Sequence, residues 1–167
     1  MWYDNLNNKR LWKIFSDISA IPRESGNEEG IRNYLLSWAK EHDIQAFADN
    51  IGNVIMKVKA TPGYEDYPSI ALQGHMDMVC VKREGSKHDF TKDPIEIMTD
   101  GKNIWAKDTS LGADNGIAIA LALDIFSDEK ASLAGSDKTF SSEILAFCLL
   151  LFRCICTVGT DGKITIF

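Results

Sequence analysis

Residues 112–127, GADNGIAIALALDIFS, restrict the possible folds of this chain more than any other segment. The segment has the length and composition of a helix, and it is apolar on nearly all sides. Such a helix is stable in water only when neighbouring elements cover it, and it usually packs on a sheet. The segment therefore predicts a covered helix inside a layered domain.

Two amphipathic helices are predicted ahead of this segment. Apolar residues recur at helical spacing in residues 11–18 and again in residues 31–39, so each helix should bury one face. The first helix should end before Pro22, because the residue preceding a proline avoids the helical conformation. Ser25 or Asn27 is suited to cap the second helix.

Strand patterns occupy most of the remaining sequence before residue 112. Five short segments have strand-like apolar patterns: residues 44–48, 54–58, 69–73, 95–98 and 103–107. The third is predicted to be buried and leads into His75. The last two flank Asp100-Gly101, which is typical of a hairpin turn. Helices and strands in this order indicate an α/β layered fold.

The charge and the apolar runs exclude several classes of partner. The 167 residues carry a formal net charge of −6, whereas nucleic-acid binding needs a basic face. The amino terminus lacks the apolar stretch of a secretory signal. The apolar run at residues 144–158 is interrupted by Arg153 and is shorter than the roughly 20 residues of a membrane-spanning helix. We expect a cytoplasmic protein that binds neither nucleic acid nor membrane.

The cysteines are unevenly distributed: Cys80, Cys148, Cys154 and Cys156. A disulfide framework would space them through the fold, whereas three of the four fall in one short stretch. Reduced thiols, as in cytoplasmic proteins, are the expected state.

Residues 74–79, GHMDMV, are the first stretch that suggests chemistry. On an extended chain His75 and Asp77 point to the same side. Metal-bound histidines usually donate their second ring N–H to a carboxylate, which sets the tautomer. The pair therefore fits a metal ligand with its orienting group, but a core histidine satisfied by a neighbouring carboxylate has the same spacing. From these residues alone both interpretations stay open.

Residues 109–116, TSLGADNG, are the second such stretch. Asp114 falls at the expected start of the covered helix, where a capping aspartate is common. Alternatively, its carboxylate belongs to a site at that helix end, with Gly112 and Gly116 letting another backbone or a ligand come close. The lysine of a phosphate-binding loop does not follow these glycines.

Several stretches agree with one known family in their order and separation. They are LWKIFSDISAIPRESGNEEGIRNYL, DNIGNVIMK, LQGHMDMV, HDFTKDPIEI and TSLGADNGIAIALAL. Together they resemble the aminoacyl-histidine dipeptidases, also called Xaa-His dipeptidases or peptidase D. The resemblance covers roughly residues 10–127. It implies an α/β layered catalytic domain of a two-metal peptidase, of which this chain holds an amino-terminal fragment with an incomplete sheet.

The resemblance also implies an activity and a set of site residues. The family hydrolyses Xaa-His and other dipeptides with two divalent metal ions, usually zinc. His75 would bind one ion, Asp77 would act as a catalytic residue that orients the imidazole, and Asp114 would bridge both ions. Paired cations polarise the peptide carbonyl and lower the pKa of a shared water. Full-length relatives would form homodimers. The family pattern includes His88, to which we assign no chemistry.

The sequence departs from the family after Asp114. The family's two adjacent glutamates, a general base and a ligand, have no counterpart there, because Glu129 and Glu143 are isolated. No histidine follows His88. We therefore expect weak metal binding and no turnover by this chain. The alternative is a non-catalytic interaction protein that reuses the dipeptidase front end and docks a partner with its apolar tail.

Residues 128–167 differ in character from residues 1–127. A polar stretch, an apolar run without a clear period and a candidate edge strand follow one another. We interpret residues 1–127 as the amino-terminal part of a metallopeptidase catalytic domain and residues 128–167 as an atypical tail. The tail is either the product of a frameshift or premature stop, or a genuine segment.

Overall fold

The structure is a computed structural model that describes residues 1–133 and the backbone of residues 156–158 and 164–166. The described elements, in chain order, are α1 (Lys9–Ser19), α2 (Glu29–Glu41), β1 (Gln45–Ala48), β2 (Val54–Lys57), β3 (Ile97–Thr99), β4 (Asn103–Ala106), α3 (Ala113–Phe126), β5 (Cys156–Val158) and β6 (Ile164–Ile166). This mixture of helices and strands confirms the α/β class. The two small sheets that the strands form fit a fragment of a catalytic domain.

The described chain divides into two compact units. The first contains residues 1–31 and 74–124 together with β5 and β6, and the second contains residues 32–73 and 125–133. The predicted boundary between residues 127 and 128 stays a prediction, because most of the tail lies outside the described residues.

Helix α1 contributes a large part of the buried surface of the first unit. All four residues of its predicted stripe are buried: Leu11, Ile14, Phe15 and Ile18. Asn8 caps the helix by accepting the backbone N–H of Leu11. The helix ends at Ser19, before Pro22, as predicted.

Helix α3 is covered along its length, as its composition predicts. No residue of α3 after Asp114 is exposed. Its buried carboxylate, that of Asp124, accepts hydrogen bonds from the side chains of Asn8 and Arg10. These contacts join the end of α3 to the start of α1, so the two helices pack together within the first unit.

The hairpin predicted around Asp100 is confirmed. Strands β3 and β4 pair in antiparallel register from Ile97 with Ala106 to Thr99 with Ile104. The sheet continues in the order β3-β4-β6-β5. A strand near the chain end is therefore present as β6, but its predicted edge position is wrong, because β6 pairs with β4 on one side and β5 on the other.

Helix α2 and the hairpin β1–β2 account for most of the remaining regular structure. The predicted face of α2 is buried at four positions: Ile31, Leu35, Trp38 and Ala39. Strands β1 and β2 pair in antiparallel register around a turn in which Asp49 accepts the N–H groups of Ile51 and Asn53. Gly52 in this turn has φ +96°, and Arg32 donates to its carbonyl at 3.1 Å.

The prediction of a buried strand at residues 69–73 is wrong. This segment has no regular secondary structure, and the side chains of Ile70 and Leu72 are 76% and 45% exposed. A buried strand needs hydrogen-bonding neighbours for its backbone. Among the strands that the structure describes, none pairs with this segment. An apolar run predicts a strand only where such partners exist.

In residues 1–133 and the described strands, no helix is long and apolar enough to cross a membrane. Most of the apolar run at residues 144–158 lies outside the described residues, as do Cys148 and Cys154. Among the described side chains, Cys80 is a cysteine without a disulfide bond, and the reduced state of the four cysteines stays a prediction.

Candidate functional site

The structure brings the predicted site residues His75, Asp77 and Asp114 together in the first unit. Nδ1 of His75 lies 2.9 Å from Oδ1 of Asp77, and its Nε2 lies 3.0 Å from Oδ1 of Asp114. One imidazole ring thus joins a carboxylate two residues away to a carboxylate 39 residues away. The three residues form one polar cluster, and their roles toward a metal remain predictions.

The segment that carries His75 and Asp77 is held by the loop before α2. A single parallel bridge pairs Glu24 with Met78, and the N–H of Met78 donates to the carbonyl of Arg23 at 2.9 Å. The hydroxyl of Ser25 donates to Oδ2 of Asp77. Of the two residues suited to cap α2, Ser25 is excluded, because its hydroxyl is bonded to Asp77 and α2 begins at Glu29. A cap by Asn27 stays a prediction.

Asp114 occupies a distorted position at the start of α3. Its φ and ψ of −89° and 106° are not helical, and neither are those of Asn115. Its side chain is 88% exposed and hydrogen-bonded to His75. A helix cap also has a non-helical backbone, so these angles fit both interpretations of Asp114. The hydrogen bond places its carboxylate beside the ring of His75, and its role as a metal ligand stays a prediction.

The electrostatics of the cluster favour the ionised form of Asp77 and the protonated form of His75. The hydrogen bond from Ser25 lowers the pKa of Asp77, and the adjacent His75 lowers it further. Partial burial of the His75 ring opposes its protonation, but the bonds to Asp114 and Asp77 outweigh this effect and raise the pKa of His75. The His75 side chain is 51% exposed, so a small ligand can reach the ring.

The donor set of His75 and Asp114 fits one side of a divalent-metal site. Zinc binds histidine nitrogen and carboxylate oxygen at about 2.0–2.2 Å, so donor atoms 3.0 Å apart can share one ion. Asp77 holds the other ring nitrogen, as orienting carboxylates do. In residues 1–133, however, no group of three or more histidine, cysteine or acidic side chains is arranged to hold a metal. In a metal site, His75 and Asp114 would supply two ligands and Asp77 one orienting group.

Arg23 is a residue of this region that the sequence analysis missed. Its side chain is buried. Nη1 donates to the carbonyls of Met76 and Asp77, each at 3.1 Å, and Nη2 donates to the carbonyl of Gly112 at 2.6 Å. Burial lowers the pKa of Arg23 to about 10, which leaves the guanidinium charged at neutral pH.

Both glycines of the TSLGADNG stretch lie against the guanidinium of Arg23. A Cβ at Gly112 would lie 2.5 Å from Nη2 of Arg23, and a Cβ at Gly116 would lie 2.8 Å from the same atom. The sequence predicted that these glycines admit a backbone or a ligand. The structure shows that they admit the Arg23 side chain, which the sequence alone does not connect to them.

The stretch around His88 forms a closed loop. The ring of His88 packs edge-on against Phe90 at 4.5 Å, and its carbonyl accepts a hydrogen bond from Lys82. The carboxylate of Asp89 accepts hydrogen bonds from Thr91 and pairs with Lys92. These contacts fit a structural role for the loop.

Comparison with known proteins finds two dipeptidases that are similar to this chain. No protein-family model matches the chain. The chain is 44% identical over 124 residues to the cytosol non-specific dipeptidase of Escherichia coli strain K12, covering 74% of this chain and 26% of that protein. The crystal structure of aminoacylhistidine dipeptidase from Vibrio alginolyticus matches with a TM-score of 0.74 and 41% identity, over 78% of this chain and 26% of that one.

A third match extends the fold likeness. A tripeptidase from Staphylococcus aureus matches with a TM-score of 0.58 and 22% identity, over 72% of this chain and 31% of that one. At this identity the match shows a shared fold alone. The chain spans about a quarter of the length of the two dipeptidases.

Proposed function

We propose that His75, Asp77 and Asp114 form one side of a metal-dependent dipeptidase site. The chain corresponds to the amino-terminal part of the aminoacyl-histidine dipeptidase family. The proposed reaction of the whole enzyme is hydrolysis of dipeptides, Xaa-His dipeptides among them. The proposed location is the cytoplasm, in keeping with the name of the Escherichia coli relative.

One observation carries this proposal: the His75 ring lies between two carboxylates at 2.9 and 3.0 Å. When Nδ1 donates to Asp77, the lone pair of Nε2 is free to bind a metal, and the carboxylate of Asp77 makes the ring more basic. Asp114 would contribute a carboxylate oxygen on the same side, as the ligand shared by two ions. Bound divalent ions, most often zinc in such sites, would polarise the peptide carbonyl and lower the pKa of a water.

We further propose that these 167 residues do not turn over dipeptides by themselves. Catalytic zinc usually has three protein ligands, and residues 1–133 offer two at this site. No pair of adjacent glutamates follows Asp114 in the sequence. General acid–base catalysis contributes about 10²–10⁴-fold, so without a general base the rate should fall to background.

Zinc titration of the purified chain tests the proposal. Isothermal calorimetry on the wild type, His75→Ala and Asp114→Ala should show weak binding that each substitution weakens by about tenfold or more. His88→Ala is the matched control, since this histidine lies outside the cluster, and it should leave the affinity unchanged. Equal zinc affinity in the wild type and His75→Ala would contradict the proposed site.

A hydrolysis assay tests the second part of the proposal. The wild-type chain is incubated with zinc and an Xaa-His dipeptide, and free histidine is measured against a protein-free blank. The expected result is no release above the blank. Release that disappears in His75→Ala would show that the chain is active by itself and would overturn the proposed inactivity.

A further inference from the structure

We propose that Arg23 is the positioning residue of this site: its buried guanidinium fixes the segment that carries His75 to the segment that carries Asp114. This inference rests on the proposed function, because it treats His75 and Asp114 as metal ligands. The contacts of Arg23 that support it do not involve a metal.

The guanidinium of Arg23 joins two segments that are distant in sequence. Its donors reach the carbonyls of Met76 and Asp77 on one side and the carbonyl of Gly112 on the other, at 3.1, 3.1 and 2.6 Å. Met76 and Asp77 directly follow His75, and Gly112 lies two residues before Asp114. Each end of this link is therefore within two residues of a candidate ligand.

The main chain at Arg23 strengthens the same link. Its carbonyl accepts the N–H of Met78 at 2.9 Å, and two residues later the hydroxyl of Ser25 donates to Asp77. The side chain and the backbone of one short loop thus hold the His75 segment from both directions. The stretch that follows is bonded directly to the chain ahead of Asp114, because Ser110 donates its hydroxyl to the carbonyl of Val79 and its N–H to the carbonyl of Val81. The Arg23 loop therefore supports the part of the segment nearest His75.

Arginine is suited to this task because its donors are fixed in a planar fork. A lysine ammonium is a compact point charge with rotatable donors, so it cannot donate hydrogen bonds to three carbonyls in fixed directions. Burial of an ionised side chain is unfavourable unless polar partners surround it. At Arg23 the partners are carbonyl oxygens of the segments that carry His75 and Asp114. The hydrogen bonds that offset the cost of burying the charge therefore also fix the distance between these two segments.

The glycines beside the guanidinium support this assignment. Gly112 has φ +70°, and a Cβ there or at Gly116 would come within 2.8 Å of Nη2. A side chain at either position would therefore overlap with the guanidinium, and glycine at both positions leaves space for it. The Nε atom of Arg23 is buried without a hydrogen-bond partner among the described residues, which indicates that the fork is oriented by its two terminal nitrogens.

The test compares Arg23→Lys and Arg23→Met with the wild type in the metal-free 167-residue chain. At a temperature well below each melting point, NMR measures the nuclear Overhauser contact between the His75 ring and the Asp114 β protons. The expected result is loss of this contact in Arg23→Met and partial retention in Arg23→Lys. The contact between His75 and Asp77 should persist, since those residues are neighbours. A merely structural role would lower the melting temperature and leave both contacts intact in the folded fraction.

Zinc affinity is the second measurement. Arg23→Met should weaken binding by about 10–100-fold, as loss of residues that orient metal ligands does. Arg32→Met is the matched control, because Arg32 also donates to a backbone carbonyl, that of Gly52, within the other unit. If neither Arg23 variant folds, Gly116→Ala displaces the guanidinium without removing it and should reduce the same contact.

The outcomes separate this inference from the proposed function. Unchanged ring contacts and unchanged zinc affinity in a folded Arg23 variant would overturn the positioning role while leaving the metal site intact. If the wild type binds no zinc through His75, the proposed function fails, and the contact between His75 and Asp114 alone decides the role of Arg23.

Discussion

Nε2 of His75 lies 3.0 Å from Oδ1 of Asp114, although 39 residues separate the two in the chain. Neither residue sits in a strand or in a regular helical turn. Their separation is set by the backbone of two irregular segments, both of which are bonded to Arg23. The site thus depends on a buried cation as well as on secondary structure.

Replacing the orienting carboxylate should weaken metal binding without unfolding the chain. In Asp77→Asn the amide retains an acceptor for His75, but the negative charge that makes the ring more basic is lost. Zinc affinity is expected to fall by about 10–100-fold. Because Asp77 also accepts a hydrogen bond from Ser25 and its pKa is lowered in the folded chain, the free energy of unfolding should fall by about 1 kcal/mol, a small part of the stability of a typical domain. Calorimetric zinc titration and urea unfolding measure the two quantities.

Asp89→Asn provides the control for that substitution. Asp89 also lies in an exposed loop and accepts several hydrogen bonds, but it does not contact His75. The zinc affinity of the Asp89→Asn variant should equal that of the wild type. A similar loss in both variants would mean that general surface charge, and not the orientation of His75, governs zinc binding.

The elements that the sequence predicted well are those with strong local patterns. The stripe at Leu11, Ile14, Phe15 and Ile18 and the turn at Asp100-Gly101 are found as expected. In these cases the residues that decide the structure are neighbours in sequence, through helical periodicity or turn chemistry. The grouping of His75 with Asp77 follows from the same kind of local spacing.

The features that the sequence did not predict depend on contacts between distant segments. The apolar pattern of residues 69–73 indicated a strand, but strand formation requires partners that local pattern does not reveal. Ser25 has the chemistry of a helix cap and is bonded instead to Asp77. Arg23 has no local pattern at all, because its three acceptors lie 53 to 89 residues away.

A methyl group at Gly112 should destabilise the chain by about 2–6 kcal/mol. Part of this comes from a non-glycine residue at φ +70°, which costs about 1–3 kcal/mol. The rest comes from contacts of 2.5 Å with Arg23 and 2.7 Å with Met78, since overpacking costs about 1–3 kcal/mol. Urea unfolding of Gly112→Ala measures the sum.

Gly101→Ala separates these two contributions. Gly101 has a similar φ of +87°, but a Cβ there meets nothing within 4 Å. Only the backbone cost should appear, about 1–3 kcal/mol. Equal destabilisation in the two variants would show that the space around Arg23 accommodates the added methyl group.

Asp100 should make the hairpin more stable at neutral pH than in acid. Hydrogen bonds from the backbone and side chain of Asn103 and from the backbone of Lys102 lower its pKa to about 2. Its pKa in the unfolded chain is about 3.9. Because the folded value is the lower one, the stabilisation is fully present above about pH 4 and is lost as the pH falls toward 2.

Two measurements check this pH dependence. A carbon-13 NMR titration of the Asp100 carboxyl should give a midpoint well below 3.9, and a midpoint near that value would contradict the hydrogen-bond pattern. The melting temperature of Asp100→Ala should fall below that of the wild type at pH 7, and the difference should shrink at pH 2. Comparing the two proteins at each pH cancels the titration of the other carboxyl groups.

The exposed apolar side chains of residues 69–73 should make the chain prone to association. Ile70 and Leu72 are 76% and 45% exposed on a segment that no described strand covers, and contiguous exposed apolar surface favours association. The double variant Ile70→Thr, Leu72→Thr should remain monomeric at concentrations at which the wild type forms larger species. Its melting temperature should change little, because the folded state buries only part of these side chains.

Ile51→Thr is the control for association, since Ile51 is 79% exposed but stands alone in the β1–β2 turn. Light scattering coupled to size-exclusion chromatography compares the three proteins at equal concentration. The single substitution should leave association unchanged, because an isolated exposed apolar residue is common on protein surfaces. A wild-type chain that elutes as one monodisperse species and melts cooperatively would show that residues 69–73 do not drive association. In that event the segment would be tolerated in water as an ordinary loop, and the apolar pattern that suggested a strand would carry no consequence for solubility.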